Sequence, residues 1–571
     1  MRAKIGITLL SLGFLFLLTG LINLQVVQYR KLKEFSDKNC IRLIPQEGCR
    51  GKILDRNGVC IVDSYISYDL LLIPQRGISA DNSLSKVSQI LGINLKDLKS
   101  TYRNGYSAPF VPITIARNIG IRQAIALEEL KSDMPDITVQ PHPLRHYPYD
   151  TLASQVIGYL GEIDHWRLSK LDDYGYQTKD LVGFGGVEEK YDYYLRQEEG
   201  ALSIEVDHRG RFVRVIGFKP PKDGKNINLT LDLGMQKIAE SSMFGRRGSV
   251  IIMDVLGGDI LVMANSPNYH PDSFIGNKSR ASIAGIFNDP GAPLLNRAIS
   301  APYPPASVFK LVVAAAALEN KKINLATSFL CTGSTRIGNR NFACWDIHGT
   351  QNIFQAIAHS CDIFFYKTGL NIGPDTIHDY AVKFGFSKLT GIDLPYEASG
   401  FVPSPVWRKV YKFQNWYDGD TANFSIGQGE LMVTPIQVTR LMGVFATRGF
   451  LLSPHIIKAV NSKPVYVNTK KPLRVVVKQS NLDYIRRGLR KAVIDPKGTA
   501  NVLASAPVSV AGKTGTAQVS KGLSHGWFAG FFPYEKPKYV ICVMLENGGS
   551  GHAAAMVANE IITGIYKENI L

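Results

Sequence analysis

The sequence predicts an α+β protein with a single N-terminal transmembrane helix, a mixed middle domain and a C-terminal domain with a five-stranded antiparallel sheet covered by helices on both faces. Three observations predict this arrangement: an uncharged apolar run near the amino terminus, a break rich in Pro, Gly and Lys at 219–228, and five strand patterns beyond it. At 571 residues the chain exceeds one ordinary hydrophobic core, so we expect at least two domains.

The uncharged run extends from Ile5 to Gln28 and exceeds the roughly 18 apolar residues that cross a bilayer. A cleaved signal peptide is the alternative, but the run is longer than the apolar core of a signal and no A-x-A pattern follows it. We therefore expect a cytoplasmic stub and a retained anchor within residues 1–29. Basic residues flank the run on both sides, and the short segment before it favours a cytoplasmic amino terminus.

The charge balance narrows the class of partner. Lys and Arg number 65 against 48 Asp and Glu, a net charge of +17. The sequence contains no basic helix interleaved with stacking aromatic residues and no zinc-finger spacing, which argues against nucleic acid. With a membrane anchor, anionic headgroups or an acidic extracellular substrate explain the charge more economically. We therefore expect no nucleic-acid partner.

The strand patterns beyond the break define the C-terminal domain. Residues 30–226 show short strands and turns without a long apolar helix, and residues 227–571 begin a clearer pattern. Two alternating strands around Gly257 and Gly258 predict a hairpin, and three further strands starting near 508, 525 and 538 predict an antiparallel meander. Mostly helical patterns separate the two groups, and HAAAMVANEIITGIY closes the chain as a helix. This order predicts one sheet interrupted in sequence by a helical insertion.

The stretch PPASVFKLVVAAAALE at 304–319 places a lysine in a helix that is apolar on nearly every face. Positions three apart share a helix face, so the Ser307 hydroxyl and the Lys310 amine can meet. Apolar surroundings disfavour an ammonium, and a neutral lysine can take the serine proton and create a nucleophile. The alternative is a snorkelling or paired structural lysine. The S-x-x-K pattern is weak alone, because SLSK at 83–86 repeats it in a polar context.

The triplet K-T-G occurs twice in the chain. Lys513-Thr514-Gly515, followed by Thr516, lies in a strand pattern whose edge can offer N–H groups, a cation and a hydroxyl to a peptide with a terminal carboxylate. The copy that begins at Lys367 ends a helical pattern, where its glycine would be a C-cap. We expect the first to be functional and the second structural.

Between these motifs, AHSCDIFF contains Ser360 and Asp362. An S-x-D triplet is often a helix cap. The functional interpretation is a hydroxyl that relays a proton from the lysine toward a leaving group, with the carboxylate orienting its neighbours.

Seven cysteines form no dense framework. Cys331 and Cys344 flank a turn-rich stretch, and His348 follows. A disulfide, a metal site that includes Cys361, and unpaired buried thiols are all compatible with this spacing. We predict a disulfide between Cys331 and Cys344, worth about 2 to 3 kcal/mol if unstrained.

In chain order, S-x-x-K, S-x-[ND] and K-T-G form the signature of the penicillin-recognising serine enzymes. The resemblance to a class B penicillin-binding protein covers nearly the whole chain. It is carried by RGKILDRNG at 50–58, RHYPYD at 145–150, GFGGVEEKYDYYLR at 183–196, SIGQGELMVTPIQ at 425–437 and AGKTGTAQ at 511–518. Asp362, with CTGS and FACW before it, is most similar to the penicillin-binding protein 2 branch, the elongation transpeptidases; the division-specific relatives usually have Asn there.

The resemblance implies a serine-type D-Ala-D-Ala transpeptidase or carboxypeptidase that cross-links peptidoglycan stem peptides during cell-wall elongation, maintains cell shape and is acylated by β-lactams. Ser307 would attack the D-Ala-D-Ala carbonyl with Lys310 as base, and Ser360 would relay the proton to the departing D-alanine.

The resemblance also implies the substrate-binding groups. These are Asp362, Lys513, Thr514, Gly515 and Thr516. Lys513 and Thr514 would hold the substrate carboxylate, while the N–H groups of Ser307 and Thr516 would form the oxyanion hole. No nucleotide or redox cofactor is implied.

The domains follow from the same resemblance. Residues 30–226 would be an elongated pedestal, the penicillin-binding protein dimerisation type of domain, and residues 227–571 the transpeptidase domain. The pedestal would dock a SEDS-type membrane glycan polymerase. The single-pass anchor would lie in the inner membrane, with the catalytic domain on the periplasmic side.

A metal is not expected from the resemblance. Some relatives bind zinc through two Asp, a His and a Cys just before the S-x-D serine. Here Ile357 stands three residues before Ser360, and no carboxylates match. We therefore expect no zinc, although Cys331, Cys344 and His348 leave it open.

Other functions share parts of this signature. A β-lactamase would carry all three motifs but needs a deacylating base and hardly needs an anchor. A division-specific septal transpeptidase would differ in partners rather than chemistry. A β-lactam sensor or a non-catalytic wall-synthesis scaffold is disfavoured because all three motifs are intact.

Overall fold

The computed structural model describes residues 2–74, 80–107, 111–134, 136–171, 175–176, 178, 180–207, 212–275, 280–464, 472–519 and 522–570. The chain forms two compact units. The first unit comprises Met1–Gly51, Ser64–Leu144 and Arg196–Lys225; the second comprises Lys52–Asp63, Arg145–Leu195 and Asn226–Leu571. The second unit thus includes two segments that precede residue 227 in the chain.

The first unit begins with the apolar helix expected as an anchor. Helix Arg2–Ile22 continues through a π-helical turn at Asn23–Val27, and Ile5–Val27 is long and apolar enough to cross a membrane. Every side chain of that stretch is exposed. An apolar helix with no protein against any face suits a lipid environment. Helix Tyr29–Cys40 follows it.

The rest of the first unit mixes short elements around a small core. One antiparallel sheet has the strand order Ile41–Gln46, Gly200–Val206 and Phe212–Lys219. A second group contains strand Ile113–Ile119, most of strands Cys60–Leu72 and Ile137–His146, and helices Asp81–Leu91, Leu95–Gly105 and Ile121–Glu129. Its buried core includes Leu70, Val87 and Leu127. The mixed character is as predicted, but strand Cys60–Leu72 has 13 residues and is longer than expected.

The second unit is built on the predicted five-stranded antiparallel sheet. The strand order is Ile260–Ser266, Gly248–Asp254, Tyr539–Leu545, His525–Phe532 and Ala511–Ala517. The predicted hairpin and the predicted meander are both confirmed. They join where Ile251 lies opposite Cys542. The five-stranded sheet is therefore complete only when the hairpin strand Gly248–Asp254 pairs with strand Tyr539–Leu545, far along the chain.

Helices cover both faces of this sheet because successive strand side chains point to opposite sides. Val250 and Ile541 lie in the core beneath helices Leu233–Ser242 and Gly551–Lys567. The other face meets helix Pro435–Ala446, whose residues are all buried. The layered architecture is the one predicted.

The remaining elements of the second unit are mostly helical. Its other helices and 3-10 turns are Ser154–Ile157, His165–Leu171, Gly186–Lys190, Asp192–Leu195, Pro271–Phe274, Arg280–Phe287, Arg297–Ser300, Ala306–Val308, Lys310–Glu319, Ile353–Ala358, Asp362–Ile372, Pro374–Lys383, Pro405–Lys412, Asp418–Ser425, Gln479–Ile494 and Asn501–Ser505. Its short strands are Ile53–Leu54, Tyr159–Glu162, Leu181–Phe184, Ile227–Leu229, Ser328–Cys331, Ser334–Ile337, Arg340–Ala343, Gly349–Asn352, Phe450–Leu451, Ile457–Val460, Lys463–Pro464 and Leu473–Arg474. Helix Lys310–Glu319 packs between Asp362–Ile372 and Gln479–Ile494, which brings two of the three motifs together.

Candidate active site

Ser307 lies in a tight turn that leads into a buried helix. Ala306–Val308 is a 3-10 turn, and the α-helix Lys310–Glu319 follows. Residues 310–317 are all 0% exposed, so the helix is buried on every face as its sequence predicts. Ser307 therefore precedes the α-helix, and Lys310 is its first residue.

Close backbone contacts hold this turn in place. Ala306 has a left-handed φ of 48° and donates its N–H to the Gly427 carbonyl at 2.9 Å. A Cβ on Gly427, which itself has φ 75°, would lie 2.1 Å from the Ala306 oxygen, so the SIGQG segment needs glycine there. Trp527 Nε1 donates to the Pro304 carbonyl at 2.9 Å and links the turn to the central sheet.

Lys310 is buried with a counter-charge. Its Nζ contacts Asp362 Oδ1 at 2.7 Å and donates to the Ser360 carbonyl at 2.8 Å and to Ser360 Oγ at 3.2 Å. Among the hydrogen bonds of the described residues, none joins Lys310 to the Ser307 hydroxyl. The expectation of purely apolar surroundings for Lys310 is therefore wrong, because a carboxylate lies against its amine. A buried lysine amine requires polar partners, and the S-x-D segment provides them.

Ser360 lies between two helices, Ile353–Ala358 and Asp362–Ile372. Its φ is 57°, an uncommon conformation for a residue other than glycine, and its side chain is 6% exposed. The cap position of the following helix belongs to Cys361, which makes no side-chain capping bond. The helix-cap interpretation of S-x-D is thus not supported, because both polar side chains turn toward Lys310.

Lys513 projects from strand Ala511–Ala517 and is 0% exposed. Its Nζ donates to the Thr514 carbonyl at 3.0 Å. Burial, together with the positive charge of Lys310, holds the pKa of Lys513 well below the usual lysine range, and Asp362 opposes the shift. A substrate carboxylate placed beside Lys513 would favour its charged form.

The end of this strand runs beside the nucleophile turn. A Cβ on Gly515 would lie 3.1 Å from the Pro305 carbonyl, so glycine permits the close approach. Thr516 Oγ1 accepts the Gly551 N–H at 3.0 Å, and the Thr516 carbonyl accepts from Gln428 Nε2 at 3.4 Å. The close approach at Gly515 places the third motif beside the first.

The second K-T-G copy has a structural position. Gly369 lies inside helix Asp362–Ile372, and the cap is Gly373, so the predicted C-cap role is wrong. A Cβ on Gly369 would be 2.4 Å from the Ser425 Cβ, which explains the glycine by helix packing instead. Lys367 Nζ lies 5.5 Å from the centre of the Phe329 ring.

The second S-x-x-K copy lies on helix Asp81–Leu91 of the first unit. Ser83 Oγ donates to Asp136 at 2.7 Å, and Lys86 lies 3.7 Å from Asp133. The helix is amphipathic and buries Leu84 and Val87, so it is less polar than its sequence suggested. Both motif side chains are engaged locally.

The predicted site residues meet at one cavity of about 1080 Å³. Its lining includes Ser307, Ser360, Asp362, Thr514, Gly515 and Thr516. Lys310 and Lys513 lie behind this lining with no exposed surface. One hydroxyl nucleophile, a second hydroxyl and two buried amines are the groups needed for acyl transfer through a serine ester.

Sequence reasoning missed several residues that line the cavity. Gln428 belongs to the SIGQG segment and Trp345 to the FACW segment, whereas Lys497 comes from a loop that carries no recognised motif. The first two had a sequence signal, because they lie in segments already noted for their resemblance.

A cluster of metal-ligand types lies directly beside this cavity. Cys331, Cys344, His348 and Cys361 bring their ligand atoms within 4.8 Å of one another. The two outer thiols, Cys331 Sγ and Cys344 Sγ, each lie 3.5 Å from His348 Nδ1. A hydrogen bond from Cys361 lowers the pKa of Cys344 below its usual range, which favours the thiolate that binds metals. A Cys₃His set of this size fits a tetrahedral Zn²⁺ site.

Two sequence predictions need correction at this cluster. The disulfide between Cys331 and Cys344 is not formed, because both thiols are free and face the same imidazole nitrogen. The reason for expecting no zinc also fails. Ile357 is a fully buried core residue, and the fourth candidate ligand is Cys361, inside the S-x-D triplet itself.

Family models match most of the chain. The penicillin binding protein transpeptidase domain matches residues 248–563, and the penicillin-binding protein dimerisation domain matches residues 45–229. The first match includes every residue assigned to the cavity.

Similar proteins extend over nearly the full length. The peptidoglycan D,D-transpeptidase MrdA of Acinetobacter baumannii is 31% identical over 98% of this chain and 86% of its own length. The penicillin-binding protein 2 of Helicobacter pylori, solved in complex with MreC, has a TM-score of 0.82 and 29% identity, covering 93% of this chain and 99% of its own. A peptidoglycan synthase complex described as coordinating polymerization and crosslinking has a chain with a TM-score of 0.76 and 26% identity, covering 99% of this chain and 98% of its own.

Proposed function

The chain belongs to the class B penicillin-binding proteins of the penicillin-binding protein 2 type, and we propose that its cavity carries out peptidoglycan D,D-transpeptidation through an ester on Ser307. It is a cell-elongation transpeptidase, and its similarity to MrdA does not favour the division-specific alternative. The observation that carries the residue assignment is the meeting of Ser307, Ser360 and Thr514 at one cavity with Lys310 and Lys513 behind it.

Acylation begins with attack of Ser307 Oγ on the carbonyl carbon of the penultimate D-alanine. Lys310, in its neutral form, takes the Ser307 proton, and Asp362 stabilises the ammonium that results. The C–N bond then breaks, and Ser360 passes a proton to the departing D-alanine amine. The 3.2 Å contact between Lys310 Nζ and Ser360 Oγ supports this relay.

Deacylation reverses these roles. The amine of a second stem attacks the ester carbonyl, loses its proton through Ser360, and the Ser307 oxygen leaves with a proton from Lys310. Water in place of the amine would give carboxypeptidase activity. A β-lactam forms the same ester but keeps its leaving group attached, so the adduct persists.

Substrate binding uses the strand of the third motif. Lys513 and Thr514 would hold the terminal carboxylate, while the N–H groups of Ser307 and Thr516 would stabilise the oxyanion. The close approach of the strand to the nucleophile turn at Gly515 supports this arrangement.

The thiol and imidazole cluster would hold a zinc ion with a structural role. Cys331, Cys344, His348 and Cys361 would be its ligands. Bound there, the ion would tie the loops before the second motif to Cys361, the neighbour of Ser360. No step of the acyl transfer requires it.

Partners and location follow from the family. The relatives found with MreC and in a synthase complex support docking of wall-synthesis proteins, and we assign the predicted SEDS-type glycan polymerase to the pedestal, residues 30–226. The exposed apolar helix supports a membrane anchor, with the transpeptidase domain, residues 227–571, on the periplasmic side of the inner membrane.

Labelling with penicillin tests the nucleophile. We expect one labelled-penicillin adduct per chain, located on Ser307 by peptide mapping and absent from Ser307→Ala. Lys86→Ala and Lys367→Ala, the matched changes in the second motif copies, should label normally. An adduct on another serine would contradict the assignment.

Depletion of the protein should round or swell the cells, whereas filaments blocked at septation would indicate the division enzyme.

A further inference from the structure

The cavity is larger than the terminal dipeptide of a stem requires. Ligand pockets usually measure about 300 to 1000 Å³, so a cavity of 1080 Å³ can hold further residues of the peptide. Beyond the three motifs, its lining includes Trp345 and the residues 496–499. This part of the cavity has no role in the acyl transfer described above.

The segment 495–499, called here the Lys497 turn, is closed by local hydrogen bonds. The Asp495 carbonyl accepts the Gly498 N–H at 2.8 Å, and Asp495 Oδ1 accepts the Lys497 N–H at 3.0 Å. A Cβ on Gly498 would lie 2.3 Å from the Ala492 oxygen, so the turn needs glycine. The position of Lys497 is therefore set by the fold.

The Lys497 turn is linked to the segment just before Ser360. Thr499 donates its N–H to the Ala358 carbonyl at 3.1 Å. Trp345 Nε1 donates to the next carbonyl, that of His359, at 3.1 Å. Because both hydrogen bonds end within two residues of Ser360, this wall of the cavity is attached directly beside the reacting groups.

The charge on this wall lacks an internal partner. Asp495, the acid of the turn, is already bound by Lys491 at 3.1 Å and by His359 at 3.4 Å. Lys497 is exposed and forms no ion pair with any described carboxylate. It is the only Lys or Arg among the described residues that line the cavity.

We propose that Lys497 is a specificity-determining residue that binds an internal carboxylate of the peptidoglycan stem peptide, separate from the terminal carboxylate held by Lys513 and Thr514. The inference rests on the proposed function, because it places a stem peptide in the cavity. Stem peptides carry acidic residues besides the terminal carboxylate, and Trp345 supplies an apolar surface in the lining of the same cavity. The internal carboxylate belongs either to the donor stem, which acylates Ser307, or to the acceptor stem.

The test uses the full-length protein in detergent and four variants. Lys497→Ala and Lys497→Glu remove and reverse the charge, Lys497→Arg conserves it, and Lys536→Ala removes a matched exposed lysine away from the cavity. Each protein reacts with labelled penicillin, with stem peptides carrying free internal carboxylates, and with the same peptides amidated at those carboxylates. Donor acylation and transfer to an acceptor are measured separately.

An exposed ion pair predicts a modest effect. With free-carboxylate stems we expect Lys497→Ala to react about 5-fold more slowly than the unsubstituted protein, and Lys497→Glu more slowly still. The rates of Lys497→Arg and Lys536→Ala should stay within about 2-fold of that of the unsubstituted protein. Amidated stems should react equally with all variants. If Lys497 binds a carboxylate of the donor stem, its substitution should slow acylation of Ser307. If it binds a carboxylate of the acceptor stem, its substitution should lower only the ratio of cross-linked to hydrolysed product.

Penicillin labelling separates this inference from the proposed function. All four variants should be acylated by penicillin at the original rate, which also shows that they are folded. The role of Lys497 is refuted if free-carboxylate stems react with Lys497→Ala and Lys497→Glu as fast as with the unsubstituted protein. It is also refuted if these variants slow the reaction of amidated stems as much as that of free-carboxylate stems. Absence of a Ser307 adduct in the original protein would instead refute the proposed function.

Discussion

At the scale of single residues, one buried lysine amine links the first two motifs. Lys310 contacts three acceptors of the segment around Ser360, one of them the Asp362 carboxylate. This explains how a lysine is tolerated in a helix that is otherwise apolar on every side. Removing the amine therefore changes both chemistry and stability, and the two effects can be measured apart.

Lys310→Ala should fold but acylate penicillin at least about 10³-fold more slowly, a loss of roughly 4 kcal/mol in barrier terms. It leaves Asp362 without its partner, so the free energy of unfolding should also fall by about 1 to 3 kcal/mol. Melting temperature and acylation rate are to be measured on the same preparation. A destabilised protein with a normal acylation rate would make Lys310 a structural lysine and remove the catalytic assignment.

The pH dependence of acylation should report Lys513. Burial and the Lys310 charge hold the pKa of Lys513 well below the usual lysine range, so the cation that pairs with the substrate carboxylate is lost on raising pH earlier than for an ordinary lysine. We expect the second-order acylation rate to fall on the alkaline side at a pH below that range. Lys513→Arg, which stays charged, should move this fall upward. An unchanged alkaline limb in Lys513→Arg would exclude Lys513 as its origin.

At the scale of elements, the loops around the cavity are joined by the cysteine and histidine cluster. Cys331 ends a strand, Cys344 and His348 follow the next hairpin, and Cys361 precedes the helix that begins at Asp362. These segments have little core of their own, and several of their side chains are exposed. A bound ion would hold them together where hydrophobic packing is sparse.

Protein prepared with zinc present should contain about one ion per chain by metal analysis. Cys361→Ser should lose it, and chelation should lower the melting temperature of the original but not of Cys361→Ser. Cys60→Ser, a thiol change outside the cluster, should retain the metal. Protein without metal under these conditions, or a Cys331–Cys344 disulfide found by mass analysis, would contradict the site.

At the scale of the whole molecule, the amino-terminal helix differs from the helices that cover the central sheet. Ile5–Val27 is exposed along its entire length, whereas helix Pro435–Ala446 is buried along its entire length. Apolar surface of this extent is stable in water only if something covers it. A lipid bilayer is the cover that its length and composition fit.

The full-length protein should fractionate with membranes and resist extraction by salt or alkali. A chain that begins at Arg30 lacks the apolar run, so it should be largely soluble and still acylated by penicillin. Fractionation and labelling of both chains check this. A mature amino terminus beyond residue 20 would instead establish a cleaved signal sequence.

Local patterns in the sequence were sufficient for the anchor, for the sheet strands and for the three motifs. Strand alternation, helix periodicity and motif spacing involve residues within a few positions of one another. These properties survive without knowledge of the fold, which is why Ser307, Ser360 and Lys513 could be named as candidates from the sequence.

Only the tertiary structure decided which of these residues act together. Lys310 and Asp362 are 52 positions apart, and Cys331 meets Cys361 only because the intervening strands and helix fold back beside the cavity. The ion pair was not predicted, and the cluster stayed one of three alternatives for the cysteines, because no local period relates residues at such separations. Lys497 was missed for the same reason. Its turn carries no motif, and hydrogen bonds join that turn to the segment before Ser360, which lies more than a hundred positions earlier in the chain.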